Sequence, residues 1–149
     1  MESARPPFVD EHRIVVDAPV ERVWPVVAAE FGRSGGRSFE VYARFIRATP
    51  PRSSGAPLAQ GSTLPGFAVV YAVPGRSARL VGRHLYSRYE LTLDLAERPG
   101  GTLVRARTYA AFPGPLGRVY RLLVIDSGAH RALMVRRLAA TRRRAERTR

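Results

Sequence analysis

Eight residues near the C-terminus, Leu116, Tyr120, Leu123, Ser127, His130, Met134, Leu138 and Thr141, recur at steps of three and four. Residues at that spacing share one side of an α-helix. None of them is Arg, although the chain from Arg118 onward contains ten arginines. Those arginines fall mostly on the flanks and back. A long helix must therefore lay an apolar stripe on a complementary surface, and that stripe carries His130. Asp126 precedes His130 by four residues, within side-chain reach on a helix, and is expected to orient its imidazole. Gly128 is expected to kink or restart the helix.

The preceding chain supplies the surface. Residues 1–10, with Pro6-Pro7, are expected to form a flexible arm, and residues 11–149 a single domain. The β-branched segment 11–17 predicts a short strand with His12, Ile14 and Val16 on one parity, His12 lying at the rim. Pro19 suits the first turn of a helix, which extends to about residue 30 and presents Val20, Val23, Trp24, Val27 and Phe31. Pro25 removes one hydrogen bond inside it. Residues 32–38, GRSGGRS, read as a loop or a broken helical turn. Residues 39–48 alternate, with Phe39, Val41, Ala43 and Phe45 on one parity, and predict a half-buried strand. The Pro- and Gly-rich run 49–61 predicts a loop long enough to cover an opening.

Four further strands are expected over 62–73, 77–86, 89–95 and 102–111. Alternation sets Leu80, Gly82, His84 and Tyr86 against Arg79 and Arg83, so His84 faces inward. In YELTLDL, residues 89–95, Tyr89, Leu91, Leu93 and Leu95 face in, while Glu90, Thr92 and Asp94 face out. The hairpin partner then turns Val104, Ala106, Thr108 and Ala110 inward. Arg105 and Arg107 lie outside, and Arg107 is expected to pair with a carboxylate across the strands. Strands and helices are segregated along the chain. The fold class is therefore α+β, a curved antiparallel β-sheet gripping the long C-terminal helix.

Composition narrows the chemistry. There is no Cys, which excludes disulfides and thiolate ligands or nucleophiles. No signal sequence or run long enough to span a bilayer is read, so a cytoplasmic protein is expected. The net charge of +13 comes from 25 basic residues, all of them Arg. The absence of Lys and Asn beside abundant Arg, Ala, Gly and Pro fits a G+C-rich genome. The tail TRRRAERTR is the one concentrated basic patch, and Arg suits a helix C-terminus. Contact of that tail with an anionic surface or nucleic acid is a third-ranked expectation. The three histidines sit on three separate elements, and no H-E-x-x-H, phosphate loop or G-x-S-x-G motif occurs. No metal and no cofactor is expected.

The opening VDAPVERVW (16–24), the hairpin YELTLDLAERPGGTLV (89–104) and the closing amphipathic helix resemble the START-like (SRPBCC) superfamily, also called the helix-grip or Bet v 1-like fold, and its polyketide cyclase-like members. The segment TYAAFPGPLGRVYRLLV (108–124), followed by His130, is similar to uncharacterised bacterial members. The Gly-rich stretch 32–38 departs from the pattern, because many members place a second short helix there. The resemblance implies an apolar cavity between sheet and last helix. Its members bind lipids, hormones or polyketides, and some catalyse cyclisation, dehydration or hydrolysis.

Two expectations follow. In the first, the chain binds a small hydrophobic molecule, lipid-, polyketide- or aromatic-like, against Trp24, Phe67, Tyr71, Tyr86, Tyr89, Thr108, Tyr120, Leu123 and Met134. Of these, Trp24, Phe67 and Met134 belong to the residue types most often found in cores. In the second, His84 and His130, with Asp126 behind His130, act as acid and base in a cyclase or dehydratase. A structural role for each histidine, satisfying a backbone carbonyl, is the plain alternative. A homodimer is compatible with either.

Overall fold

The computed structural model describes residues 4–32 and 37–147. Parts of the arm, of the 32–38 loop and of the Arg-rich tail lie outside the described residues. Six antiparallel strands form one sheet in the order β1-β6-β5-β4-β3-β2. They are β1 (Phe8–Val16), β2 (Thr63–Leu64), β3 (Phe67–Val73), β4 (Ser77–His84), β5 (Ser87–Arg98) and β6 (Gly101–Ala111). The helices are α1 (Val20–Phe31), α2 (Arg37–Phe45), α3 (Gly114–Arg121) and α4 (Ala129–Arg147), with a π-helical turn, Leu122–Asp126, after α3. The class is α+β, with the C-terminal helical segment closing the sheet.

The β5–β6 hairpin has the register its alternation requires. Leu93 pairs with Ala106 and Leu95 with Val104 on the inner face, while Thr92 pairs with Arg107 and Asp94 with Arg105 on the outer face. Leu93, Val104 and Ala106 are fully buried. α1 lays Val23, Val27 and Phe31 on this face, and α4 adds Met134, Leu138 and Ala145. Each such aliphatic side chain contributes about 1.5–3 kcal/mol when fully buried. Pro25 sits just past the first turn of α1 and does not interrupt it. Thr102 Oγ1 donates to the Ala18 carbonyl at 2.8 Å, which pins the start of α1 to β6.

Several expectations are corrected. Residues 39–48 are not a strand. Phe39, Tyr42, Ala43 and Ile46 follow the i, i+3, i+4, i+7 pattern and turn toward the protein, whereas Val41 and Phe45 of the alternating set are 62% and 80% exposed. The segment satisfies both periods, and its helical face finds the better surface. A second short helix is thus present after the Gly-rich stretch. The strand expected over 62–73 is divided at Pro65-Gly66 into β2 and β3, with Gly66 at φ +86°. β1 starts at Phe8, three residues early. The loop 49–61 is pinned by Leu58, which enters the main core.

Glu90 does point to the outer face, but it is 1% exposed rather than solvated. Arg5 Nη2 and Arg79 Nε each lie 2.9 Å from its Oε1. Arg5 also sits over the Tyr109 ring, 4.6 Å from its centre, so the residues before β1 cover this part of the sheet. The Arg-rich end of α4 is likewise packed on one side, since Thr141 and Ala145 are fully buried. Arg144 Nη1 meets Glu30 Oε1 at 2.6 Å, and Arg142 pairs with Glu146. Among the described residues, no helix is long and apolar enough to cross a membrane.

Candidate functional site

A cavity of about 220 Å³ lies between the inner face of β3–β6 and the helices α2, α3 and α4. Its walls are mostly apolar or aromatic: Phe39, Tyr42 and Ile46 from the α2 segment, Phe67, Tyr89 and Ala110 from the sheet, and Tyr120, Leu133 and Met134 from the C-terminal helices. Polar side chains on the wall include His84, His130 and Arg137.

His84 ends β4, and β5 begins at Ser87 with Tyr89 on the same inward parity. The His84 ring lies 4.6 Å from the Tyr120 ring and 5.6 Å from that of Tyr89, centre to centre. Its Nδ1 accepts the Tyr86 backbone N–H at 3.0 Å, so the neutral ring carries its hydrogen on Nε2. Burial holds the His84 pKa down to about 4. The ring is therefore neutral near pH 7. The Tyr120 and Tyr42 hydroxyls meet at 2.6 Å and tie α3 to α2. The Tyr89 hydroxyl donates to the Gly66 carbonyl at 2.6 Å. Burial is the first cause raising the pKa of both Tyr89 and Tyr120, which keeps both phenols protonated. The strand crossing here needs glycine. A Cβ on Gly82 would stand 1.8 Å from the Gly66 carbonyl oxygen.

The second polar centre is built by register. Asp10 of β1 pairs with Thr108 of β6, and His12 pairs with Ala106. α4 brings His130 over this pair. His130 Nε2 lies 3.1 Å from Thr108 Oγ1 and 3.4 Å from Asp10 Oδ1, while His12 Nε2 lies 3.1 Å from Asp10 Oδ2. An ionised carboxylate only accepts hydrogen bonds. His12 is therefore held with hydrogen on Nε2, whereas among the described residues Asp10 Oδ1 accepts no hydrogen bond and His130 Nε2 bonds Thr108 Oγ1. Among the described residues, no group of three or more His, Asp or Glu side chains is placed to hold a metal ion.

The cavity brings together His84, His130, Phe67, Tyr89, Thr108, Tyr120 and Met134. Four other expected residues do not line it, and Asp126 does not reach His130. Asp126 is half exposed, with Arg121 Nε at 3.9 Å, and the carboxylate at His130 is that of Asp10. Leu123 is 67% exposed. The π-helical turn has more residues per turn than an α-helix, so Val124 and Ile125 take the inward positions instead. Trp24 packs against the main core beside the Pro74-Gly75 turn and does not line the cavity. Tyr71 is 47% exposed on the outer face, where a bulge between Val69 and Tyr71 breaks the strand's parity. Tyr86 supports the wall from behind, its ring stacked on Tyr120 at 5.5 Å. Arg107 bonds a carboxylate as expected, but that of Glu11 on β1, at 2.8 Å.

Asp10 is the principal residue missed from sequence. It shares parity with His12, Ile14 and Val16, so carrying the β1 alternation two residues toward the N-terminus would have turned it inward. Tyr42 and Ile46 were hidden by the strand reading of α2. Arg137, which also lines the cavity, follows His130 by seven residues on the same helical face.

No family model matches the sequence, and no curated protein sequence matches it either. The fold does have solved counterparts. A conserved protein from Geobacillus kaustophilus superposes with a TM-score of 0.54 at 14% identity, covering 93% of this chain and 95% of its own. An uncharacterized protein from Rhizobium leguminosarum gives 0.55 at 16% identity, covering 93% and 96%. An Aha1 protein from Colwellia psychrerythraea, solved as a dimer, gives the same four values. At these identities the likeness shows a shared fold.

Proposed function

We propose that this chain is a START-like, polyketide cyclase-like protein that binds one small hydrophobic molecule in the cavity between sheet and C-terminal helices. The observation that carries this reading is the space itself, walled by aromatic side chains with a few polar groups among them. Its size selects the ligand. An engineered apolar cavity of about 150 Å³ accepts benzene. The larger volume of about 220 Å³ accommodates a single ring bearing a short substituent. Tyr89, Tyr120 and His84 offer ring edges and faces to such a guest.

Native mass spectrometry of the purified protein, followed by titration with monocyclic aromatics, tests the reading. A bound mass or a saturable thermal shift is expected, and Ala110→Phe, which fills the cavity from β6, should abolish it with the fold intact. A protein that carries nothing, and that no monocyclic compound stabilises, would overturn the reading.

A second reading, an acid–base enzyme of cyclase or dehydratase type, draws support from the Asp10–His130 pair at the cavity wall. His130 would be the proton-transferring group and Asp10 its positioning residue. His84, neutral with a pKa of about 4, would serve as a hydrogen-bond donor rather than an acid near pH 7. Loss of turnover in His130→Gln, with cavity binding retained, is the result this reading requires.

A further inference from the structure

Arg137 sets the chemical class of the guest. It lines the cavity two helical turns beyond His130 on α4 and is partly buried. Its Nη1 donates to the Glu30 backbone carbonyl near the C-terminal end of α1. The Glu30 carboxylate itself is taken by Arg144. Among the described residues no carboxylate pairs with Arg137, although most arginines on the neighbouring strands have one. A guanidinium stays charged in any protein environment and presents five N–H donors in a fixed fork. A guanidinium beside an apolar space can form a charge-assisted, bidentate pair with an anion that enters it.

We propose that the ligand is a carboxylic acid on a single ring, its carboxylate held by Arg137 and its ring packed toward Tyr89, Tyr120 and His84. This rests on the cavity being a binding site. One cation balances one charge, and the planar fork matches the two oxygens of a carboxylate. Of the nearby carboxylates, Glu90 lines the cavity but is held by Arg5 and Arg79, and Asp10, faced by His12 and His130, does not line it.

The test compares 3-phenylpropanoate with its neutral amide by isothermal titration of the full chain. The acid should bind about tenfold tighter or more, a difference of ~1.4 kcal/mol. In Arg137→Gln that preference should vanish through loss of acid affinity alone, and Arg137→Lys should retain part of it. If the acid and amide bind the native chain equally, the acid assignment fails and the cavity reading stands. If neither binds while Ala110→Phe leaves all behaviour unchanged, both fail. Should Arg137 only cap α1 through the Glu30 carbonyl, Arg137→Gln would lower the melting temperature and weaken both probes alike, which also overturns the assignment. If Arg137→Gln does not fold, Arg137→Lys decides: an undiminished preference for the acid would count against the fork.

Discussion

Asp10 Oδ1 stands 3.4 Å from His130 Nε2, although 120 residues separate the two in sequence. The β1–β6 register makes the meeting possible by setting Asp10 opposite Thr108, the other partner of the imidazole. His12 closes on the second oxygen of the same carboxylate. One acidic side chain thus faces two rings. Removing it by Asp10→Ala should cost about 1–3 kcal/mol, since the part-buried His12 N–H loses its acceptor and His130 loses a facing charge. The ¹⁵N spectrum of His12 should shift from one tautomer to a mixture. Asp126→Ala should change neither observable, because Asp126 is half exposed and faces Arg121.

The π-helical turn makes a second distinction. Leu123 and Met134 fall on the same stripe at α-helical spacing, yet Leu123 is 67% exposed and Met134 is 4% exposed. Met134→Ala should destabilise by about 2–5 kcal/mol, the range for large-to-small core changes. Leu123→Ala should fall within about 0.5 kcal/mol of neutral, as surface substitutions do. Chemical denaturation of the two variants checks this directly. Equal costs would mean that the inward register runs unbroken through residues 122–126.

These cases show what the sequence made legible. Strand parity alone placed His84, Tyr89 and Thr108 on the inner face, because in a sheet with one buried face each side chain's side is set by counting in twos. His130 and Met134 were legible because α4 is regular. Leu123 and Asp126 were not, because the stripe assumed one helical period and a π turn inserts an extra residue that no propensity in LLVID announces. Phe39 to Ile46 fit both periods, and only tertiary contact decides between them. Asp10 was within reach of the parity rule but was assigned to the arm on the strength of Pro6-Pro7.

His84 gives the chain a pH-dependent stability of definite sign. Its folded pKa of about 4 lies below the ordinary value of 6.5, so between those values the unfolded chain binds more protons. Stability then rises with pH across that window. The contribution is complete above about pH 6.5 and is lost as pH falls toward 4. Melting curves at pH 4.5 and 7.5 should differ less for His84→Gln than for the native chain. Ligand affinity should fall over the same interval if a bound ring occupies the space beside His84, since a charged imidazole there must be hydrated.

The end of α4 supplies the last prediction. Thr141 and Ala145 are fully buried, Arg144 holds Glu30 at 2.6 Å, and Glu146 Oε1 accepts the Asp17 N–H at 3.0 Å. Basic residues concentrated at a chain terminus invite a reading as an anion-binding tail, but one face of this helix is structural. A chain ending at Ala140 should therefore lose about 2–3 kcal/mol, a melting shift of roughly 4–10 °C for a domain of this size. Reversing charge at Arg143, exposed on the opposite side, should leave stability nearly unchanged. If the shortened chain melts with the full one, the basic end is free of the core and its role must be sought in an anionic partner, whose binding would weaken steeply with salt.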